Sequence, residues 1–146
     1  MTLVIQRVSS SSVSVDGKTA GAIGKGLMIL IGVHRDDAEA SADFLAAKCA
    51  DLRVFPDDTG KMNLSLKDIG GEALVISQFT LLADCSKGRR PNFTGAAPAE
   101  KGRELYEYFV KQLKTHVRKV ETGIFGADMK VQIANDGPVT IIIESF

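Results

Sequence analysis

The stretch Leu27-Met28-Ile29-Leu30-Ile31 constrains this chain most: five large apolar residues in a row, extended by Gly32 and Val33 to a run of seven. A strand with one wet face alternates apolar and polar residues, so an unbroken run predicts a strand covered on both sides. Seven residues fall well short of the roughly 20 that cross a bilayer. The rest of the 146 residues must therefore build layers on both faces of a sheet. A chain of this length buries roughly 70% of the surface its unfolded form exposes, enough for one core without a disulfide or metal staple. No repeat, low-complexity tract or Pro/Ser linker divides it, and residues 1–146 read as a single domain.

Other segments carry their own periodicities. Leu3, Ile5, Val13 and Val15 alternate with polar residues around the turn signal Asp16-Gly17, so the first 24 residues predict half-buried antiparallel strands. Asp36 and Glu39 have capping-box spacing, and Ala42, Leu45, Cys49 and Leu52 follow at helical intervals; a helix is expected over about 37–52. Pro56 to Gly60 reads as a turn and Ala73 to Ile76 as a second buried strand. Ser86 to Pro98, rich in Gly, Pro and basic residues, reads as an ordered loop. Tyr106, Phe109, Val110, Leu113 and Val117 mark the apolar face of a second helix, weakened at its start by Gly102. Met129 to Ile133 and Val139 to Ile143 alternate as two strands joined by Asn135-Asp136-Gly137-Pro138. Strands and two helices without strict alternation define an α+β fold.

Charge narrows the function classes. The total is neutral, with 18 basic and 18 acidic residues, which argues against a bulk nucleic-acid binder. The distribution is uneven: residues 1–84 hold 8 basic and 11 acidic groups (−3), residues 85–119 hold 9 and 3 (+6), and residues 120–146 hold 1 and 4 (−3). The basic set, Lys87, Arg89, Arg90, Lys101, Arg103, Lys111, Lys114, Arg118 and Lys119, is either a solvated helix face or a patch for a polyanion. Cys49 and Cys85 make no disulfide framework; with no signal-like N-terminus they predict reduced thiols in a cytoplasmic protein, Cys49 as a small buried hydrophobe.

The usual catalytic motifs are missing. There is no Gly-x-Ser-x-Gly elbow, phosphate loop or His-x-x-x-His pair, and His34 and His116 lack partners at metal-ligand spacing, so no metal or cofactor is expected. Two places break pattern instead. Ser77-Gln78-Phe79-Thr80 sets polar residues into the end of an apolar strand, where they must find partners or face a pocket. The plain alternative is a strand turning polar as it leaves the core. Gly137-Pro138 precedes a strong strand, where Pro belongs at a turn or edge and where the peptide can be cis. A distant histidine acting as base for Ser77 or Thr80 stays open at this point.

Ser77-Gln78-Phe79-Thr80-Leu81 and Asn135-Asp136-Gly137-Pro138-Val139-Thr140 resemble the paired signature motifs of the D-aminoacyl-tRNA deacylases. The opening Ile5-Gln6-Arg7-Val8, the loop Lys87-Gly88-Arg89-Arg90-Pro91-Asn92-Phe93, the length and the motif order extend the resemblance over the whole chain. It implies antiparallel or mixed sheets in a barrel-like core with two main helices, and a homodimer with active sites at the subunit interface. It implies hydrolysis of the ester joining a D-amino acid, or mischarged glycine, to the terminal adenosine of tRNA. Ser77, Gln78, Phe79 and Thr80 would line the pocket. Gly137-Pro138 would enter the partner's pocket as a cis peptide and meet the substrate amino group, excluding L side chains. Met129 would lie near the adenosine, and Arg7 would hold the Gly-Pro loop. Backbone amides at Phe79 and Thr80, with the ribose 2′-OH, would carry catalysis; a covalent Thr80 is the competing mechanism. The rival from another class is a non-catalytic tRNA-binding or translation-associated module using the basic patch.

Overall fold

The structure is a computed structural model describing residues 1–145. Strand β1 (Thr2–Val15) turns through Asp16 and Gly17, with φ of 50° and 75°, into β2 (Lys18–Ile23). Two consecutive positive φ angles are what a two-residue hairpin turn needs, and Asp-Gly supplies them. β3 (Gly26–Gly32) follows, then helix α1 (Glu39–Asp51), the short hairpin β4 (Phe55–Pro56) and β5 (Met62–Leu64), and β6 (Glu72–Ser77). A 3-10 turn over Phe79–Leu82, helix α2 (Ala99–His116), β7 (Lys119–Thr122) and β8 (Lys130–Glu144) complete the chain.

β1 organises the sheet. One edge pairs with β8 along nearly its whole length; the other pairs with β3 over Thr2 to Val8 and with β2 over Ser11 to Val15. β3, β6 and β7 are parallel neighbours, linked by crossovers through α1 and α2, so the sheet is mixed. β2 then bends round towards β7. A Cβ on Gly21 would lie 2.7 Å from the Thr122 carbonyl oxygen, a closeness that only glycine permits and that nearly shuts the sheet into a barrel. No helix among the described residues is long and apolar enough to cross a membrane.

The apolar run serves two layers at once. Leu27, Ile29 and Ile31 face a core shared with Leu45 and Cys49 of α1 and Phe109 and Leu113 of α2, while Met28 and Leu30 face Val8, Val13, Leu74 and Ile76 inside the barrel. Each such side chain taken fully out of water contributes about 1.5–3 kcal/mol. That is why the run could not alternate.

Two expectations are corrected. Helix α1 begins at Glu39 with Ala38 as an uncapped N-cap, so the Asp36/Glu39 capping box does not form. The carboxylate next to it is used elsewhere: buried Asp37 accepts from the His34 amide at 2.6 Å and pairs with the Met1 amino group at 2.5 Å. The segments around Asn135 to Pro138 are not two strands joined by a turn but one strand, β8, with a bulge: Gln6 faces Thr140 and Val8 faces Asn135, leaving Asp136 to Val139 opposite Arg7 alone. β7, β4 and β5, too short to show a period, were not legible.

Candidate active site

β6 ends where the motif begins. The Gln78 amide makes the last ladder bond, 2.8 Å to the Ile31 carbonyl, and the chain then tightens into the 3-10 turn. Gly32 makes room for it, since a Cβ there would stand 3.1 Å from the Gln78 carbonyl oxygen and 3.2 Å from Cβ of Leu81. Ser77 and Gln78 are half-buried; Phe79 and Thr80 are exposed, Phe79 to 58%. Phe79 meets Phe93 edge-to-face at 5.1 Å, and Nε2 of Gln78 donates to Oγ1 of Thr80.

Two adjoining cavities, of about 330 and 280 Å³, share Ser77, Gln78, Phe79, Phe125 and Gly126. The first runs under α2 past Ile31, Val33, Ala97, Gly102 and Tyr106; the second runs past Ile76, Ala127, Met129 and Val131. Neither is lined by a carboxylate, a histidine, a lysine or an arginine. The one titratable wall residue, Tyr106, donates its hydroxyl to the Val75 carbonyl at 2.9 Å, and burial pushes its pKa up to about 12. It stays protonated and is no base near neutral pH. The lining leaves Ser77, Gln78 and backbone groups as hydrogen-bonding equipment. The Phe79 and Thr80 amides, in the first turn of the 3-10 segment, have no protein acceptor among the described residues.

The second motif stands apart from these walls. Nε of Arg7 donates to the Asp136 carbonyl at 3.1 Å and lies 3.5 Å from its carboxylate, while Nη1 donates to the Val54 carbonyl at 2.6 Å. Asn135 closes the base of the bulge, accepting from the Val139 amide at 3.3 Å and donating to Oγ1 of Thr140 at 3.1 Å. Gly137 takes φ of 125°, its peptide to Pro138 is cis, and both residues are exposed. Neither lines either cavity. The structure thus brings Ser77, Gln78, Phe79 and Met129 together, ties Thr80 to Gln78, and holds Arg7 with Gly137-Pro138 in a separate unit. His34 and His116 line neither cavity.

Sequence reasoning missed Phe125 and underused Tyr106. Phe125 sits 5.8 Å from the Tyr106 ring and lines both cavities. An aromatic bracketed by glycines, Gly123-Ile124-Phe125-Gly126, was the available signal. Gly123 has a further role: a Cβ there would collide with Sδ of Met129.

An uncharged pocket at the carboxyl end of a parallel strand, in a barrel-like α+β domain, is the arrangement of a small-ligand-binding or enzymatic domain. Comparison with known proteins makes this particular. The family model described as D-Tyr-tRNA(Tyr) deacylase matches residues 4–144, and the chain belongs to that family. The D-aminoacyl-tRNA deacylase of Caldicellulosiruptor bescii is 57% identical, covering 99% of this chain and 97% of its own. That of Thermotoga petrophila is 55% identical with the same coverage. Among solved structures, the c-Myc DNA Unwinding Element Binding Protein superposes with a TM-score of 0.94 at 41% identity, covering 99% of both chains. A probable eukaryotic D-amino acid tRNA deacylase shares the fold, with a TM-score of 0.85 at 17% identity over 99% of this chain and 100% of that one.

Proposed function

We propose that the protein hydrolyses the ester between a D-amino acid and the terminal adenosine of tRNA, releasing both, and that it also clears glycine from mischarged tRNA. The observation that carries this reading is the uncharged pocket with Ser77 to Phe79 in its wall and two amides beside it without acceptors among the described residues. An aminoacyl ester is already activated. Its hydrolysis needs a positioned water and a stabilised oxyanion more than a strong nucleophile, and one well-placed donor contributes about 3–4 kcal/mol to such a step. In this reading the Phe79 and Thr80 amides receive the oxyanion, and the ribose 2′-OH orients the water.

Gly137-Pro138 acts in the pocket of a second protomer. The bulge is exposed, braced by Arg7 and Asn135, and lines neither cavity of its own chain. β8, which carries it, pairs with β1 on one edge only and presents Ile133 and Ile142 to solvent, which supports a homodimer built on this strand. With carbonyls of the partner's bulge holding the amino group and amides holding the ester, the Cα substituent has one direction left. An L side chain meets protein atoms there, whereas glycine, having none, passes.

The deciding experiment incubates purified protein with tRNA charged with the D or the L form of one amino acid. Release of the D form alone supports the reading. Survival of both esters, with tRNA still bound, makes the protein a non-catalytic binder. A terminal 2′-deoxyadenosine should slow release strongly, and an unchanged rate removes the RNA hydroxyl from the mechanism.

A further inference from the structure

Outside the two cavities lies a third concavity, about 410 Å³, between the outer face of α2 and the Thr122-Gly123-Phe125 segment. Its polar wall comes from one helical stripe. Arg103, Glu107, Lys111 and Lys114 recur every three or four residues, opposite the buried Leu105, Phe109 and Leu113. Three cations face one acid. The ion pairs among the described residues use other basic groups and none of these three. Lys111 and Lys114 are exposed, and the Arg103 guanidinium lies 4.9 Å from the centre of the Phe125 ring, which fixes it over the boundary of the pocket. The groove adjoins the candidate active site, with Tyr106 and Phe125 in the wall of both.

We propose that this groove binds the phosphodiester backbone at the acceptor end of the tRNA, with Arg103, Lys111 and Lys114 facing phosphate oxygens and Glu107 marking a gap between contacts. This rests on the function proposed above, since it is the esterified terminal adenosine that brings the neighbouring phosphates here. The chemistry fits. Unpaired cations on a rigid helix lose little on meeting phosphate and release counterions from it. From Arg103 to Lys114 the stripe runs about 16 Å at 1.5 Å per residue, long enough to face more than one phosphate of a single strand. A local patch of this size on a neutral protein suits brief, salt-sensitive contact with many tRNAs.

The test compares D-aminoacyl-tRNA with 3′-O-D-aminoacyl-adenosine, a substrate too short to reach the groove, in the wild type and in Lys111→Glu/Lys114→Glu. Expected is a rise of about tenfold in KM for the tRNA with kcat retained, a slope of log KM on log salt shallower by about 1 to 2, and cleavage of the adenosine ester within about twofold of wild type. An unchanged KM and salt slope overturns the proposal. Equal damage to both substrates overturns it too, by placing the effect in the pocket. So does a KM rise produced instead by Lys87→Glu/Arg89→Glu/Arg90→Glu, which assigns the phosphates to the loop. If the wild type cleaves neither ester, the deacylase reading fails by itself, and salt-dependent binding of uncharged tRNA to the same variants still decides the groove.

Discussion

Arg7 and Asp136, 129 residues apart in sequence, are joined by a 3.1 Å hydrogen bond from Nε to the backbone carbonyl. The same guanidinium reaches the Val54 carbonyl through Nη1, so one side chain from β1 sets the position of the β8 bulge against the residue just before β4. Arg7 is 12% exposed, and its planar fork serves two acceptors in different directions.

Arg7→Lys should therefore lower kcat/KM for a D-aminoacyl ester about tenfold or more, because a compact ammonium lacks the separate, planar-held nitrogens that reach the two carbonyls in different directions. Arg7→Ala should add a stability loss of about 1–3 kcal/mol from the unsatisfied Val54 carbonyl. Urea denaturation and single-turnover deacylation measure the two effects separately. A fully active Arg7→Lys enzyme would remove the bracing role.

Gly137→Ala should leave the fold nearly untouched and reduce deacylation by two orders of magnitude, on the scale of about 3 kcal/mol of lost transition-state binding. The new Cβ would stand 2.8 Å from Nη2 of Arg7 and 2.9 Å from Cγ2 of Val139, at φ of 125°, so the bulge must shift although it is exposed. Circular dichroism and D-amino acid release are the readouts, and an active variant counts against the bulge as a substrate-contacting element.

Thr80→Ala should keep deacylation within about tenfold of wild type. The mutation removes a hydroxyl that accepts from Gln78 but leaves the backbone amide in place. A folded, tRNA-binding but inactive variant, or an acyl group trapped on Thr80, would make the hydroxyl the nucleophile.

Alkaline pH should destabilise the fold through two buried groups. Burial pushes the Cys49 thiol from 9.0 to about 12 and the Tyr106 phenol from 10.0 to about 12. Both raised values mean that the folded state holds its protons more tightly than the unfolded chain. Their stabilising contribution is complete below pH 9 and is lost as pH climbs towards about 12. Melting temperatures across that interval should fall, and less so in Cys49→Ala. In parallel, a thiol reagent at pH 8 should modify exposed Cys85 and reach Cys49 only in denaturant.

Much of the fold was legible because it is local. The Asp16-Gly17 turn, the doubly buried β3 run and the apolar stripe of α2 each follow from residues adjacent in sequence. The two pattern-breaking places were legible too, since a polar cluster at an apolar strand end and a Gly-Pro ahead of a strand conflict with their surroundings. What failed had distant causes. The capping box at Asp36 and Glu39 was lost because the helix starts too late for it, with Ala38 as N-cap, after a turn in which Asp37 is tied to Met1 and His34. The supposed turn at Asn135 to Pro138 became a bulge because β1 pairs on both sides of it.

By itself the sequence determined which segments could be strands or helices, that one strand lies between two layers, and which two short motifs depart from core logic. Tertiary structure alone decided that Ser77 to Phe79 share walls with Phe125 and Met129, that Arg7 grips a bulge 129 residues away, and that part of the basic stretch lines a groove sharing Tyr106 and Phe125 with the pocket. The reason is physical. Periodicity records only which side of an element avoids water, whereas a site is made by side chains from different elements, whose meeting depends on strand order and register.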